Sequence, residues 1–199
     1  MVVRKNWCPN PKGKNDVTGW SFNNPPLDRV TGITGMPSHV STAARYTGNG
    51  YVKTPTGDCI PDVVSTVSFY IRNNTGFEIF GGRQVFIGYT RSSGGDVFPT
   101  GHDFNTAALG PNGNIIRGSF TAPASPALTT GMYLIIDSLN GTFGTGFDIS
   151  AVMYERVNAI DTYFDGDYPD CDWNGTDGNS TSTYNSAPPV SLGAFLPLL

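Results

Sequence analysis

The sequence predicts an all-β chain, an antiparallel β-sandwich of the jelly-roll type with an irregular C-terminal tail. Three observations carry that expectation. Twenty-five Gly and fifteen Pro oppose long helices, where an interior Gly costs about 1 kcal/mol and an interior Pro about 3 kcal/mol. Apolar residues recur at every second position in several stretches, the period of a strand with one buried face. Between those stretches lie the pairs Asn49-Gly50, Asn112-Gly113, Asn140-Gly141 and Asn174-Gly175, and Asn-Gly accepts the positive φ angles that hairpin turns demand.

Taken in chain order, the first clear pattern runs from Val63 to Arg72. There Val63, Val67, Phe69 and Ile71 alternate with Thr66, Ser68, Tyr70 and Arg72, and Ser65 interrupts the apolar series. Val85 to Arg91 is the second candidate. Ile116, Gly118, Phe120 and Ala122 then alternate with Arg117, Ser119 and Thr121. Met132, Leu134 and Ile136 alternate with Tyr133, Ile135 and Asp137, a stretch apolar on both faces and so expected at the centre of a sheet. Phe147, Ile149, Ala151 and Met153 alternate with Asp148, Ser150 and Tyr154. Only Ser150 to Asn158 offers a helical alternative, and its alternation favours a strand. The expected core is therefore Val67, Phe69, Ile71, Phe120, Leu134, Ile136, Ile149 and Ala151.

At 199 residues, 38% of them hydrophobic, one large all-β domain is favoured over two small ones. Only 14% of residues are charged, against an ordinary ~25%, so the surface must consist largely of Ser, Thr, Asn, Gly and Tyr. A net charge of −4 and a pI near 4.9 argue against nucleic-acid binding, which rests on basic phosphate contacts. No segment approaches the ~20 apolar residues that span a bilayer. The opening Met1 to Trp7 lacks the apolar core of a signal peptide, so export by that route is not expected. Cys8, Cys59 and Cys171 are odd in number and widely spaced; reduced thiols are expected, and one pair stays open. Composition changes near Ala159. The division expected is a sandwich over 1–160 and a C-terminal extension over 161–199, too short to fold alone, docking on the sandwich or on a partner.

Catalytic signals are weak. His39 and His102 are the only histidines, and neither stands beside a Gly-x-Ser-x-Gly elbow; a triad needs nucleophile, base and orienting acid to converge. Glu78 and Glu155 are the only glutamates, and no acid pair for glycoside hydrolysis is recognisable. Gly141 to Gly146 departs from nucleotide-loop spacing and reads as a turn. No enzyme activity and no cofactor are expected. Asp170, Asp172, Asn174 and Gly175 stand at positions 1, 3, 5 and 6 of a calcium loop, but Thr181 replaces the bidentate Glu and flanking helices are missing. The competing reading is an Asx-rich turn. Trp20 is expected in the core, whereas Trp173, among polar turn residues, suits an interface.

Several stretches resemble known proteins. Pro9-Asn10-Pro11 with Thr18-Gly19-Trp20, then Ser65 to Arg72, Ser119 to Pro123 and Asp148 to Glu155, resemble in their order carbohydrate-binding-module jelly rolls over residues 9–157. Tyr163 to Asp170, Trp173 to Thr176 and Asn179 to Ser182 are similar to the ending of minor tail proteins of phages that infect actinobacteria. Many such proteins carry further domains, whereas this sequence stops soon after the tail motif. The resemblance implies a structural virion protein made in the host cytoplasm, present in several copies or as a homo-oligomer, with other virion proteins as partners and a host-surface glycan as a further ligand. Alternatives are a glycan-binding module proper and a head-surface decoration protein. Tyr163, Phe164 and Trp173, with Phe195, Leu196, Leu198 and Leu199 of the apolar C-terminus, are the expected interface. Large apolar side chains left in water forgo about 1.5–3 kcal/mol each.

Overall fold

The computed structural model describes residues 2–23, 27–48, 50–76, 82–98, 103–106, 110, 113–122, 124–137, 146–157 and 162–186. Of these, residues 2, 3, 82–84, 103–106, 120 and 186 are described by their backbone alone. Among the described residues the ordered elements are strands: β1 (Val2–Asn6), β2 (Ser21–Phe22), β3 (Leu27–Thr31), β4 (Thr42–Tyr46), β5 (Tyr51–Lys53), β6 (Gly57–Asp58), β7 (Ser65–Asn73), β8 (Gly82–Arg91), β9 (Asp96–Val97), β10 (Asp103–Thr106), β11 (Ile115–Ala122), β12 (Thr129–Asp137), β13 (Phe147–Glu155), β14 (Cys171–Trp173) and β15 (Ser182–Ser186). The expected all-β antiparallel sandwich is what forms.

Two sheets build it. One runs β10-β8-β12-β5-β2, with β6 on β12 and β9 on β8, and the other runs β11-β7-β13-β4-β3. Every pairing is antiparallel. Alternation decides what lies between them. Val67, Phe69 and Ile71 of β7, Val85, Ile87 and Tyr89 of β8, and Met132, Leu134 and Ile136 of β12 all join one buried cluster. One polar contact crosses this interior. The Tyr154 hydroxyl of β13 bonds Thr54 and accepts the Leu134 N–H of the facing sheet at 3.2 Å.

Strict alternation fails in β13. Phe147 and Ile149 face the core, but register shifts between Ser150 and Met153, and Ala151 takes φ of 52°. That is a β-bulge, one extra residue that inverts the faces beyond it. Val152 and Tyr154 therefore enter the main core, while Ala151 and Met153 turn to the outer face and join a second cluster. Ala151 is buried as expected, but in a different place. The bulge also frees the Val152 N–H, which donates to the Pro11 carbonyl at 3.0 Å. Asn6 Nδ2 takes the Val152 carbonyl at 3.1 Å. The N-terminal loop is thereby seated on the outer face of β13.

Other expectations shift in detail. The β7 ladder begins at Ser65, after a turn closed by Val63 N–H to the Ile60 carbonyl at 3.2 Å, so Val63 lies outside it. Residues 171–173 and 182–186, within the tail expected to be irregular, form β14 and β15, which pair with β1 in a third sheet of order β1-β15-β14. The Phe120 side chain, Asn49, Asn112 and the Asn140-Gly141 pair lie outside the described residues.

Candidate functional site

The sandwich has two outer faces, and the chain treats them differently. Over the five-stranded sheet, residues 162–186 form a cover. Tyr163 and Phe164 pack with Val40, Ala151 and Met153 and are each 4% exposed. Charge fastens the cover. Lys12, seated by the β13 bulge and itself 2% exposed, donates to Asp167 at 2.7 Å and the His39 carbonyl at 3.1 Å and forms an ion pair with Asp165 at 2.8 Å. Its buried charge is thus both paired and hydrogen-bonded, the condition for burying it. Tyr163 donates its hydroxyl proton to Asp165 at 2.7 Å. Lys14 adds ion pairs to Asp167 and Asp177, both at 2.6 Å. Burial alone would raise the Asp167 carboxyl, but hydrogen bonds from Lys12, Lys14 and Trp173 and the Lys12 charge outweigh it and hold the group at about 2.

This arrangement locates the residues singled out in the sequence. Tyr163 and Phe164 are covered by the chain's own sheet instead of being offered to a neighbour, because the bulge gives them an apolar patch to cover. Trp173 is half-buried, its ring over Gly166, where a Cβ would stand 2.3 Å from Cγ. Its Nε1 donates to Asp167 at 3.1 Å. Phe195, Leu196, Leu198 and Leu199 lie outside the described residues, as do His102 and Glu78. Asp172 and Asn174 do not turn inward toward a shared centre with Asp170. Asp172 accepts from Asn185 at 3.2 Å and Asn174 from Thr183 at 2.9 Å, both across the β14–β15 ladder. Among the described residues no group of three or more His, Cys, Asp or Glu side chains is placed to hold a metal. Cys8, Cys59 and Cys171 are all free thiols. Glu155 is buried and held by Arg4 through two bonds of 2.9 and 2.6 Å. His39 sits edge-on to Tyr168, with ring centres 5.0 Å apart.

Among the described residues the outer face of the seven-stranded sheet is part-exposed, with Tyr51 exposed, Lys53, Phe86 and Ile135 half-buried and Tyr133 fully buried, and the sequence alone did not single it out. Tyr51 and Lys53 of β5, Phe86 and Gly88 of β8, and Tyr133 and Ile135 of β12 project there, opposite the core residues they alternate with. The Tyr133 ring lies across the neighbouring strand over Gly88, where a Cβ would stand 2.3 Å from the ring. Only glycine admits it. Lys53 Nζ sits 3.4 Å from the ring centre and pairs with Asp96 at 3.3 Å. Phe98 meets the ring edge-on at 6.5 Å. Burial first, then the neighbouring Asp96 carboxylate, pushes the Tyr133 hydroxyl well above the ordinary phenol range. Around this fixed ring Phe98 is 58% exposed and Tyr51 37%. The usable signal was Tyr133 and Ile135 on the solvent side of β12, apolar bulk where a sheet facing water carries polar side chains.

No family model matches the sequence, and no curated protein matches it. Solved structures do share its fold. The enzymatically active domain of tailspike protein 4 of bacteriophage CBA120 superposes with a TM-score of 0.57 at 13% identity, over 76% of this chain and 21% of that one. The present chain thus spans about a fifth of the length of that solved domain. The CBM22-1 xylan-binding domain of Paenibacillus barcinonensis Xyn10C gives 0.51 at 11% identity, over 80% of this chain and 95% of that domain. A further xylan-binding domain of CBM 22 gives 0.50 at 13%, over 76% and 95%. At such identities the likeness establishes a carbohydrate-binding-module-like jelly-roll fold.

Proposed function

We propose that this chain is a glycan-binding module and that the open face of its seven-stranded sheet holds a saccharide chain. One observation carries the reading: exposed Phe98 meets a buried, rigidly seated Tyr133 edge-on, with Lys53 and Asp96 beside it and exposed Tyr51 farther along the same face. Aromatic faces cover the C–H surface of a sugar ring, and fixed charged groups bond its hydroxyls. The shared fold with xylan-binding domains supports the reading. A glycan array should return a saccharide ligand, and Phe98→Ala or Tyr51→Ala should weaken it at least tenfold, or about 1.4 kcal/mol. Undiminished binding by both variants would remove this face from consideration.

The similarity of residues 163–182 to phage minor tail proteins favours a setting for such a module. In our reading the chain is a multi-copy component of a virion, on its tail or on its head surface, and its glycan lies on the host. Antibodies raised against the purified chain should then decorate purified particles in electron micrographs. Bare particles would end the virion reading and leave glycan binding standing.

A further inference from the structure

On the other side of the sandwich the cover does not lie flat. Between it and the outer face of the five-stranded sheet runs a cleft of about 540 Å³, within the ~300–1,000 Å³ usual for small-molecule sites. Its floor includes the buried rings of Tyr163 and Phe164. Its working walls are Tyr70 and Arg117 from the sheet and Tyr168 and Asp170 from the cover.

Each wall group is held in place. Tyr70 and Arg117 are direct cross-strand partners, with the guanidinium 6.0 Å from the ring centre. Tyr168 is wedged edge-on between His39 at 5.0 Å and Tyr163 at 5.8 Å, which fixes the angle its half-buried ring presents. Asp170 sits at φ of 61°, a left-handed conformation that Asp tolerates better than most residues. Its carbonyl accepts the Asn185 N–H at 2.9 Å, which ties the backbone to β15 and leaves the carboxylate exposed at the cleft. Arg4 also lines the cleft, but its charge is met by Glu155 at 2.6 Å.

The chemistry of the walls selects a ligand class. Two tyrosine rings offer apolar faces with polar tips, Arg117 offers fixed donors, and Asp170 offers acceptors. The formal charges of Arg117 and Asp170 cancel, and that of Arg4 is cancelled by Glu155. A ligand with apolar C–H faces, many hydroxyls and no net charge meets every one of these groups. We propose that the cleft is a second saccharide site, taking a neutral sugar unit, on the opposite side of the sandwich from the open face. It deepens the reading of the chain as a glycan binder and rests on it. Two sites on opposite faces would let one module bridge two glycan chains, or gain avidity on a dense glycan surface.

Titration calorimetry with neutral cello-, xylo- and manno-oligosaccharides, and with an oligogalacturonate as the charged control, tests it. The intact protein should bind a neutral oligosaccharide at two sites per chain. Asp170→Asn, which keeps the left-handed turn, should weaken one site at least tenfold and leave the other unchanged; Tyr70→Ala should do the same. Phe98→Ala should affect only the remaining site. One site per chain, lost with Phe98→Ala and indifferent to Asp170→Asn, would overturn the cleft proposal while sparing the open face. Binding of the galacturonate tenfold tighter than every neutral probe, with the difference lost in Asp170→Asn or Tyr70→Ala, would overturn the neutral class. No binding by any oligosaccharide would overturn both sites together.

Discussion

The two outer faces of this sandwich start from the same alternation and end as opposites. On the seven-stranded side, Ile135 stays half-buried beside a fully buried Tyr133 ring, with one part-exposed ion pair, Lys53–Asp96, beside them. On the five-stranded side, a single residue in the left-handed region, Ala151, moves Met153 outward and creates an apolar patch that Tyr163 and Phe164 cover. The same bulge seats Pro11, and so places Lys12 where Asp165 and Asp167 close over it. Charge is buried beneath the cover on one face, in Lys12 and Asp165, and part-exposed on the other, in Lys53 and Asp96. In a protein with only 14% charged residues, that division is informative.

The sharpest way to break the comparison is to remove the buried cation. Lys12→Met keeps the stem but leaves the fully buried Asp165 carboxylate without its counter-charge, and breaking a buried pair from one side costs about 3–5 kcal/mol. Urea denaturation should show a loss of that size. A loss under about 1 kcal/mol would mean that Asp165 is served by Tyr163 and the Asp167 N–H alone.

Acid should act on the covered face in a defined window. A carboxyl held below its unfolded value contributes stability that is complete above about pH 4, the ordinary carboxylate pKa, and is lost as pH falls through the folded value. For Asp167 that window closes at about 2. Trp173, whose Nε1 bonds Asp167, should change its fluorescence in a transition centred at about 2, where the folded carboxylate takes its proton, while core Trp20 should not. Asp167→Asn should abolish the transition. Its persistence in that variant would assign it to another carboxylate.

How much of this was legible follows from where the information sits. The ladder of β7 could be read directly, since Val67, Phe69 and Ile71 alternate without interruption and all three reach the core. In β13 the same rule failed beyond Ile149. Ala151 carries no mark of a left-handed residue, and the bulge exists because Pro11 and Asn6, about 140 residues away in sequence, satisfy the backbone it exposes. Lys12, within Pro11-Lys12-Gly13, looks like a turn lysine. Its burial depends on Asp165 and Asp167, which only the folded chain brings near. The tail strands β14 and β15 are short, and their Cys171, Trp173 and Tyr184 stand among Asp, Asn, Ser and Thr, whose local preference is for turns, so too little periodicity was there to reveal them. Tyr163 and Phe164 stood out because they are aromatic among polar residues, but the sequence could not say that their partner is the chain's own sheet.

The smallest effect expected is on the open face, and it completes the contrast with Lys12. Lys53 retains 21% of its side-chain exposure and Asp96 39%, at a separation of 3.3 Å. Pairs so exposed contribute about 0.2–1 kcal/mol, and a cation on a ring at an accessible site about 0.5–1 kcal/mol. Lys53→Met keeps the methylene stem against Tyr133 and removes only the charge. Urea denaturation should therefore register a loss near or below 1 kcal/mol, several-fold less than Lys12→Met. Glycan affinity should fall in the same variant, since Lys53 is the cationic donor beside the exposed rings. A stability loss rivalling that of Lys12→Met would show that this charge holds the sheet together, as the Lys12 charge holds the cover on the opposite side.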